Sequence, residues 1–146
     1  NIGKLLGIIF GLAVFAFLMI QLVPYGKDHT NPPVTGEPAW DSPQTRELAK
    51  RSCFDCHSNE VVYPWYSNVA PVSWLVQNDI DEGRGRLNFS EWEIGSKRAQ
   101  RAADEVGETI AEGKMPLPIY LIQHPNAKLT DAEKQALITG LEASLK

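Results

Sequence analysis

The sequence predicts an all-α protein, and three observations carry that expectation. Residues Leu5 to Val23 form an uncharged run of 19 residues that reads as one apolar helix. Beyond it, apolar residues recur at helical spacing between capping residues. No segment alternates polar and apolar residues as a half-buried strand does. At 146 residues the chain has room for one compact domain and one extra segment, which argues against a multidomain enzyme. With 43% hydrophobic and 22% charged residues, it is neither a disordered chain nor a polytopic membrane protein.

The first element is a membrane anchor, residues 1–24. At about 1.5 Å per residue, its apolar run extends roughly 28 Å as a helix, close to the hydrocarbon thickness of a bilayer. A soluble core helix is seldom apolar on every face for so long. A cleavable signal peptide has a shorter apolar core and a small-residue cleavage site, whereas Leu22-Val23-Pro24-Tyr25 follows here. Lys4 and Lys27 flank the run and nearly balance, so flanking charge does not set its orientation. The chain starts at Asn1 rather than Met, so a few residues are expected upstream.

Pro24, Gly26, Pro32, Pro33, Gly36 and Pro38 then block regular structure, and residues 25–42 read as an extended tether. The third block, residues 43–146, is the helical domain. Ser42 and Pro43 form a cap and first helical position for a helix over Gln44 to Arg51, which runs directly into Cys53. Val61 to Pro71 is aromatic and broken by prolines, a loop expected to fold over something apolar. A second helix is expected from Pro71 to Glu82, stopped by Gly83 and Gly85. A third opens at Asn88-Phe89-Ser90-Glu91 with Ser90 as cap, and its stripe is Trp92, Ala99, Ala103, Val106 and Ile110. The last begins at Leu129-Thr130, where Thr130 and Glu133 have capping-box spacing and Ala136, Leu137, Gly140 and Leu141 offer an inward face.

From Asp28 onward, 12 basic residues stand against 18 acidic ones, a formal charge of −6. With no basic stripe interleaved with aromatics, nucleic acid is not an expected partner. Cys53 and Cys56 are too few and too close to form a disulfide framework, so they are read as a local motif.

That motif is Cys53-Phe54-Asp55-Cys56-His57, which fits the attachment pattern of c-type haem. Two residues between the thiols let both sulfurs reach vinyl groups on neighbouring pyrroles, and the next residue then lies beneath the iron. A thioredoxin-like dithiol would want a preceding strand in a βαβ unit. A structural zinc site would need a second ligand pair, and only His29 and His124 remain, at no zinc spacing. Both fit less well than one covalent haem c.

Iron has a second axial position. Of the two methionines, Met19 lies in the apolar run, which leaves Met115 on the Gly/Pro-bounded loop Glu112 to Pro118. His57 and Met115 are therefore the expected iron ligands, with His124 as the rival that would give a bis-histidine site. Tyr63, Trp65, Tyr66 and Trp74, with Trp92 and Tyr120, supply more aromatic surface than helix packing needs, and several are expected to line the haem pocket. Arg84 and Arg86 are candidates to pair with the haem propionates. The carbonyl of Pro64 or Pro71 is a candidate acceptor for the other ring proton of His57.

These residues resemble the haem-binding domain of small membrane-anchored or periplasmic bacterial c-type cytochromes. The resemblance runs from about Asn31 to the C-terminus. It rests on Asn31-Pro32-Pro33-Val34, Cys53 to Glu60 (CFDCHSNE), Tyr63 to Ser67 (YPWYS), Val69 to Trp74 (VAPVSW), Leu87 to Trp92 (LNFSEW), Gly113 to Pro116 (GKMP), Tyr120 and His124-Pro125. More widely the chain is similar to class I cytochromes c, though its Tyr-Pro-Trp-Tyr loop departs from them. That likeness implies a helix before CxxCH crossed by a C-terminal helix, and a Met ligand from the intervening loop.

An iron with two protein ligands implies outer-sphere, one-electron transfer rather than substrate turnover, so the expected protein is not itself an enzyme. Haem attachment to CxxCH occurs outside the cytoplasm. This implies a single-pass anchor in the bacterial inner membrane through residues 5–23, with the haem domain in the periplasm. The expected partners are redox proteins of a membrane electron-transfer complex, with the protein acting as a shuttle between respiratory or photosynthetic complexes or as a subunit of one. Alternatives are a haem sensor or peroxidase-like protein with a labile sixth ligand, and a structural subunit of a membrane complex.

Overall fold

The computed structural model describes Asn1 to Leu145. Among these residues there are seven α-helices and no strands: α1 Ile2–Ile20, α2 Pro43–Ser52, α3 Phe54–His57, α4 Val72–Arg86, α5 Lys97–Ala111, α6 Pro118–Gln123 and α7 Asp131–Ser144. The expected all-α class is borne out. Two 3₁₀ turns, Trp65–Asn68 and Pro125–Ala127, complete the regular structure. The chain divides into two compact units, Asn1–Thr30 with Tyr63–Asp79, and Asn31–Val62 with Ile80 onward.

In the first unit α1 is long and apolar enough to cross a membrane, and none of its residues is buried. Its C-terminal end is fastened by side-chain chemistry. The Gln21 amide donates to the Phe17 and Ala70 carbonyls at 3.1 and 2.9 Å and accepts from the Ala70 N–H at 2.9 Å. Lys27 Nζ donates to the Gln21 carbonyl. Gly26 sits at φ +75°, where a side chain is strained, and a Cβ there would strike the Ser73 carbonyl. The His29 ring stacks on Tyr63, with centroids 4.2 Å apart, and its Nε2 lies 3.3 Å from the Ser67 carbonyl.

In the second unit the Ser42 hydroxyl accepts from the Thr45 N–H at 3.2 Å and Pro43 takes the first turn, as expected, so α2 leads straight to Cys53. Helix α7 has the full reciprocal capping box between Thr130 and Glu133. It packs against both α5 and α2, and the shared core holds Leu48, Ala49, Phe54, Phe89, Ala103, Ile110, Leu137 and Leu141. The α2–α7 contact is possible because residue 140 is glycine: an added Cβ would overlap the Thr45 side chain. Thr45 is short, β-branched and buried, so its side chain has little room to yield. Gly140→Ala is expected to cost about 1–3 kcal/mol through overpacking, read as a lower midpoint in urea denaturation with an unchanged slope.

Three expectations are corrected. Helix α4 runs through Gly83 and Gly85 to Arg86 rather than stopping at Glu82, because Gly83 serves close packing in mid-helix instead of termination. Helix α5 starts at Lys97 under a Ser96 cap, whose hydroxyl accepts from the Ala99 N–H at 3.1 Å. The Ser90 hydroxyl is already engaged, accepting from the Asn59 N–H at 2.9 Å, and Gly95 at φ +84° turns the chain between the two serines. Residues 31–42 are extended but not free. Thr35 and Gly36 donate to the Ser90 carbonyl, Trp92 N–H donates to the Gly36 carbonyl, and Trp40 packs on Phe89 with ring centroids 5.3 Å apart. An extended chain exposes unpaired backbone groups, and here those groups find partners within the second unit.

Candidate functional site

Helix α2 ends where Cys53 turns the chain, and the single turn of α3 follows, with Cys56 and His57 N–H groups both donating to the Cys53 carbonyl at 3.1 and 2.8 Å. The turn is anchored from beneath by Phe54, which is 2% exposed and stacked on Phe89. Phe89 N–H donates to the His57 carbonyl at 2.8 Å. The residues after His57 are held by a buried polar network. Asn88 donates to the Asn59 side-chain carbonyl at 3.0 Å, and Asn59 in turn donates to the Pro33 carbonyl and the Glu91 carboxylate at 3.0 and 2.9 Å. A fully satisfied buried network of this kind specifies one geometry. These Asn and Ser residues carried the family resemblance in sequence without any assigned task.

His57 Nδ1 lies 3.0 Å from the Gly83 carbonyl and 3.1 Å from the Leu87 carbonyl. Both partners are acceptors, so Nδ1 carries the proton and Nε2 is the nitrogen with a lone pair for a metal. These carbonyls replace the expected ones of Pro64 and Pro71. Burial holds the His57 imidazole below its ordinary pKa, against the opposing pull of the two backbone hydrogen bonds, so the ring is neutral at neutral pH. The Cys53 thiol is pushed up to about 12 by desolvation and then by the neighbouring Cys56.

Gly83 seats this turn. Its missing side chain is what admits the Cys56 carbonyl, since a Cβ there would overlap that backbone. Gly83→Ala is expected to cost about 1–3 kcal/mol and to displace the carbonyl that orients His57. Thermal unfolding reads the first effect and the imidazole Nδ1–H shift in an NMR spectrum reads the second.

A cavity of about 730 Å³ opens beside the motif, lined by Cys53, His57, Met115 and Pro116 among others. That volume lies within the roughly 300–1,000 Å³ typical of small-molecule and cofactor sites. One face of α5 forms a wall whose chemistry changes along its length: Lys97, Arg98 and Arg101 in the first turns, then Ala102, Val106 and Ile110. Glu105 and Thr109 lie on the same wall, and Ser52, Gly85, Arg86, Leu87 and Phe89 line the cavity as well. An apolar slot with a cationic end suits an amphiphilic ring that carries carboxylates. The thiols, a neutral imidazole with an oriented ring, a thioether and this slot together fit haem.

Of the sequence-predicted site residues, Cys53, His57 and Met115 line the cavity; Cys56 is half-buried in the same turn. Tyr63, Trp65, Tyr66 and Trp74 do not line it. Pro64 starts a 3₁₀ turn in that segment, and Tyr63 is spent on His29, so the aromatic loop belongs to the first unit. Arg84 does not line it either: its Nε donates to the Ser58 carbonyl at 2.8 Å and its guanidinium to Asn31 at 3.1 Å. Arg86 is joined instead by Lys97, Arg98 and Arg101, residues that sequence reading missed because a cationic helix face looks like ordinary solvated surface.

His124 stacks on Tyr120, with centroids 4.1 Å apart, and is not a lining residue. Tyr120 donates its hydroxyl to the Asp55 carboxylate at 2.7 Å, and the other Asp55 oxygen accepts from the Val62 N–H at 3.2 Å. Burial, then the bond to Asp55, raises the phenol pKa well above its ordinary value. Among the described residues no cluster of three His, Cys, Asp or Glu side chains could hold a metal, and no strand precedes Cys53. The zinc and thioredoxin-like alternatives lose their structural context.

Residues 15–143 match the family described as the haem-binding domain. No curated protein and no solved structure matches the chain. The match covers well over half of the sequence and takes in the cysteine pair, His57, the cavity wall and Met115 alike. This chain is therefore a haem protein and belongs to the haem-binding domain family.

Proposed function

We propose that the protein is a membrane-anchored monohaem c-type cytochrome that passes single electrons on the periplasmic side of the bacterial inner membrane. The observation that carries this is the presence of Cys53, His57 and Met115 on the lining of one cavity. In this reading Cys53 and Cys56 would hold haem through thioether bonds, and His57 Nε2 and the Met115 sulfur would be its iron ligands. When bound, haem supplies a reversible one-electron Fe(III)/Fe(II) couple. Gly83 and Leu87 fix the imidazole tautomer, Phe89, Val106 and Ile110 exclude water, and the cationic turns of α5 with Arg86 neutralise the propionates. With His57 and Met115 both serving as iron ligands, the chain would leave no ligand position for a substrate. Electron transfer rather than turnover follows, and the protein is not an enzyme by itself. Its partners are redox proteins, as a shuttle or as a subunit of a respiratory or photosynthetic complex, and α1 is its contact with lipid.

The test uses the full chain purified in mild detergent. Haem that stays with the polypeptide in acidified organic solvent, and a ferrous spectrum unchanged by carbon monoxide at neutral pH, are the expected results. Extractable haem overturns covalent attachment. Rapid carbon monoxide binding overturns the electron carrier in favour of a sensor or peroxidase-like protein.

A further inference from the structure

We propose that the segment Tyr63 to Leu75 lies on the bilayer surface, so that the first unit has a lipid-facing collar around the exit of α1 in addition to the membrane-spanning helix. The inference rests on α1 crossing the membrane. Its last helical residue is Ile20, and about 28 Å of helix leaves Gln21 at the boundary between hydrocarbon and headgroups. Gln21 is bonded through both ends of its amide to the backbone of Ala70, each at 2.9 Å. Ala70 is thereby held at the same depth, within the roughly 5–8 Å headgroup layer that remains on each side of the hydrocarbon. The Gly26 contact with Ser73 draws the next turn of chain to the same level.

The chemistry around Ala70 suits that depth. No charged residue occurs from Tyr63 to Asn78. Trp65 is 80% exposed, and Val72 and Leu75 are 42% and 48% exposed, beside Leu22 and Tyr25 of the span exit at 74% and 44%. Tryptophan and tyrosine favour the interface, where an apolar ring and a polar edge are both satisfied. Lys27, bonded to the Gln21 carbonyl, places an ammonium at headgroup level. A water-facing loop gains nothing from this composition, and a charged protein partner would find no charge to meet between Tyr63 and Asn78. Lipid is the occupant the chemistry fits.

The experiment takes the full haem-loaded chain, labelled with 5-fluorotryptophan and kept ferrous, in phosphatidylcholine nanodiscs with and without a lipid bearing a headgroup-level nitroxide. The ¹⁹F resonance of Trp65, assigned by its disappearance in W65F, is expected to lose most of its intensity to the nitroxide. A Trp65 signal that the lipid nitroxide spares and a water-soluble paramagnetic chelate broadens would leave that face to solvent or a protein partner, and overturns the collar. Flotation separates the two levels of the argument. A chain that fails to float with alkaline-washed phosphatidylcholine vesicles overturns the span and the collar together, whereas a floating chain with an unaffected Trp65 overturns the collar alone.

Discussion

Met115→Ala is expected to give a protein that still carries its haem but at a lower reduction potential. A thioether stabilises Fe(II) relative to a harder or absent ligand, and axial ligation tunes haem potentials over roughly 0.8 V. The fall should be a substantial fraction of that range, measured by a spectroelectrochemical titration of wild type and variant side by side. The sulfur-to-ferric-iron charge-transfer band in the near infrared should vanish, and the ferrous form should become able to bind carbon monoxide. Fold stability is a poorer readout, because Met115 is only half-buried on a loop. A retained charge-transfer band rejects Met115 as the ligand.

The paired substitution Cys53→Ala with Cys56→Ala is expected to abolish haem that survives denaturation. The apolar slot and His57 would remain, so weak reversible haem uptake is the expected residue of function, seen as colour that acidified solvent removes. Cys53 also packs against the core that contains Phe54 and Leu48, so the double variant should lose midpoint temperature. A haem-stained denaturing gel gives the answer without depending on that loss. A stained band from the double variant would show attachment through some other group.

Much of this was legible in the sequence because the relevant signals are local. Ser42 with Pro43, and Thr130 with Glu133, announce helix starts within a few residues, and both are found. The Cys53 to His57 motif is five contiguous residues, and the helix long and apolar enough to cross a membrane is a single apolar run. What failed depended on contacts distant in sequence. Ser90 looks like a helix cap until Asn59 is seen to claim its hydroxyl. Gly83 looks like a terminator until the Cys56 backbone is seen against it. The aromatic loop looks like a pocket wall until His29 and Gln21 are seen to hold it. Arg84 and Arg86 are equivalent on paper, but only Arg86 lines the cavity.

The loop that carries Met115 is stapled on both sides. Before it, the N–H groups of Lys114 and Met115 converge on the Thr109 carbonyl at 3.1 and 3.4 Å; after it, the Tyr120 phenol is tied to Asp55 inside the attachment motif. In the proposed reading the sulfur is thus on a short leash, with little slack for an incoming gas or peroxide to exploit, and lengthening that leash is the most economical route from electron carrier to sensor.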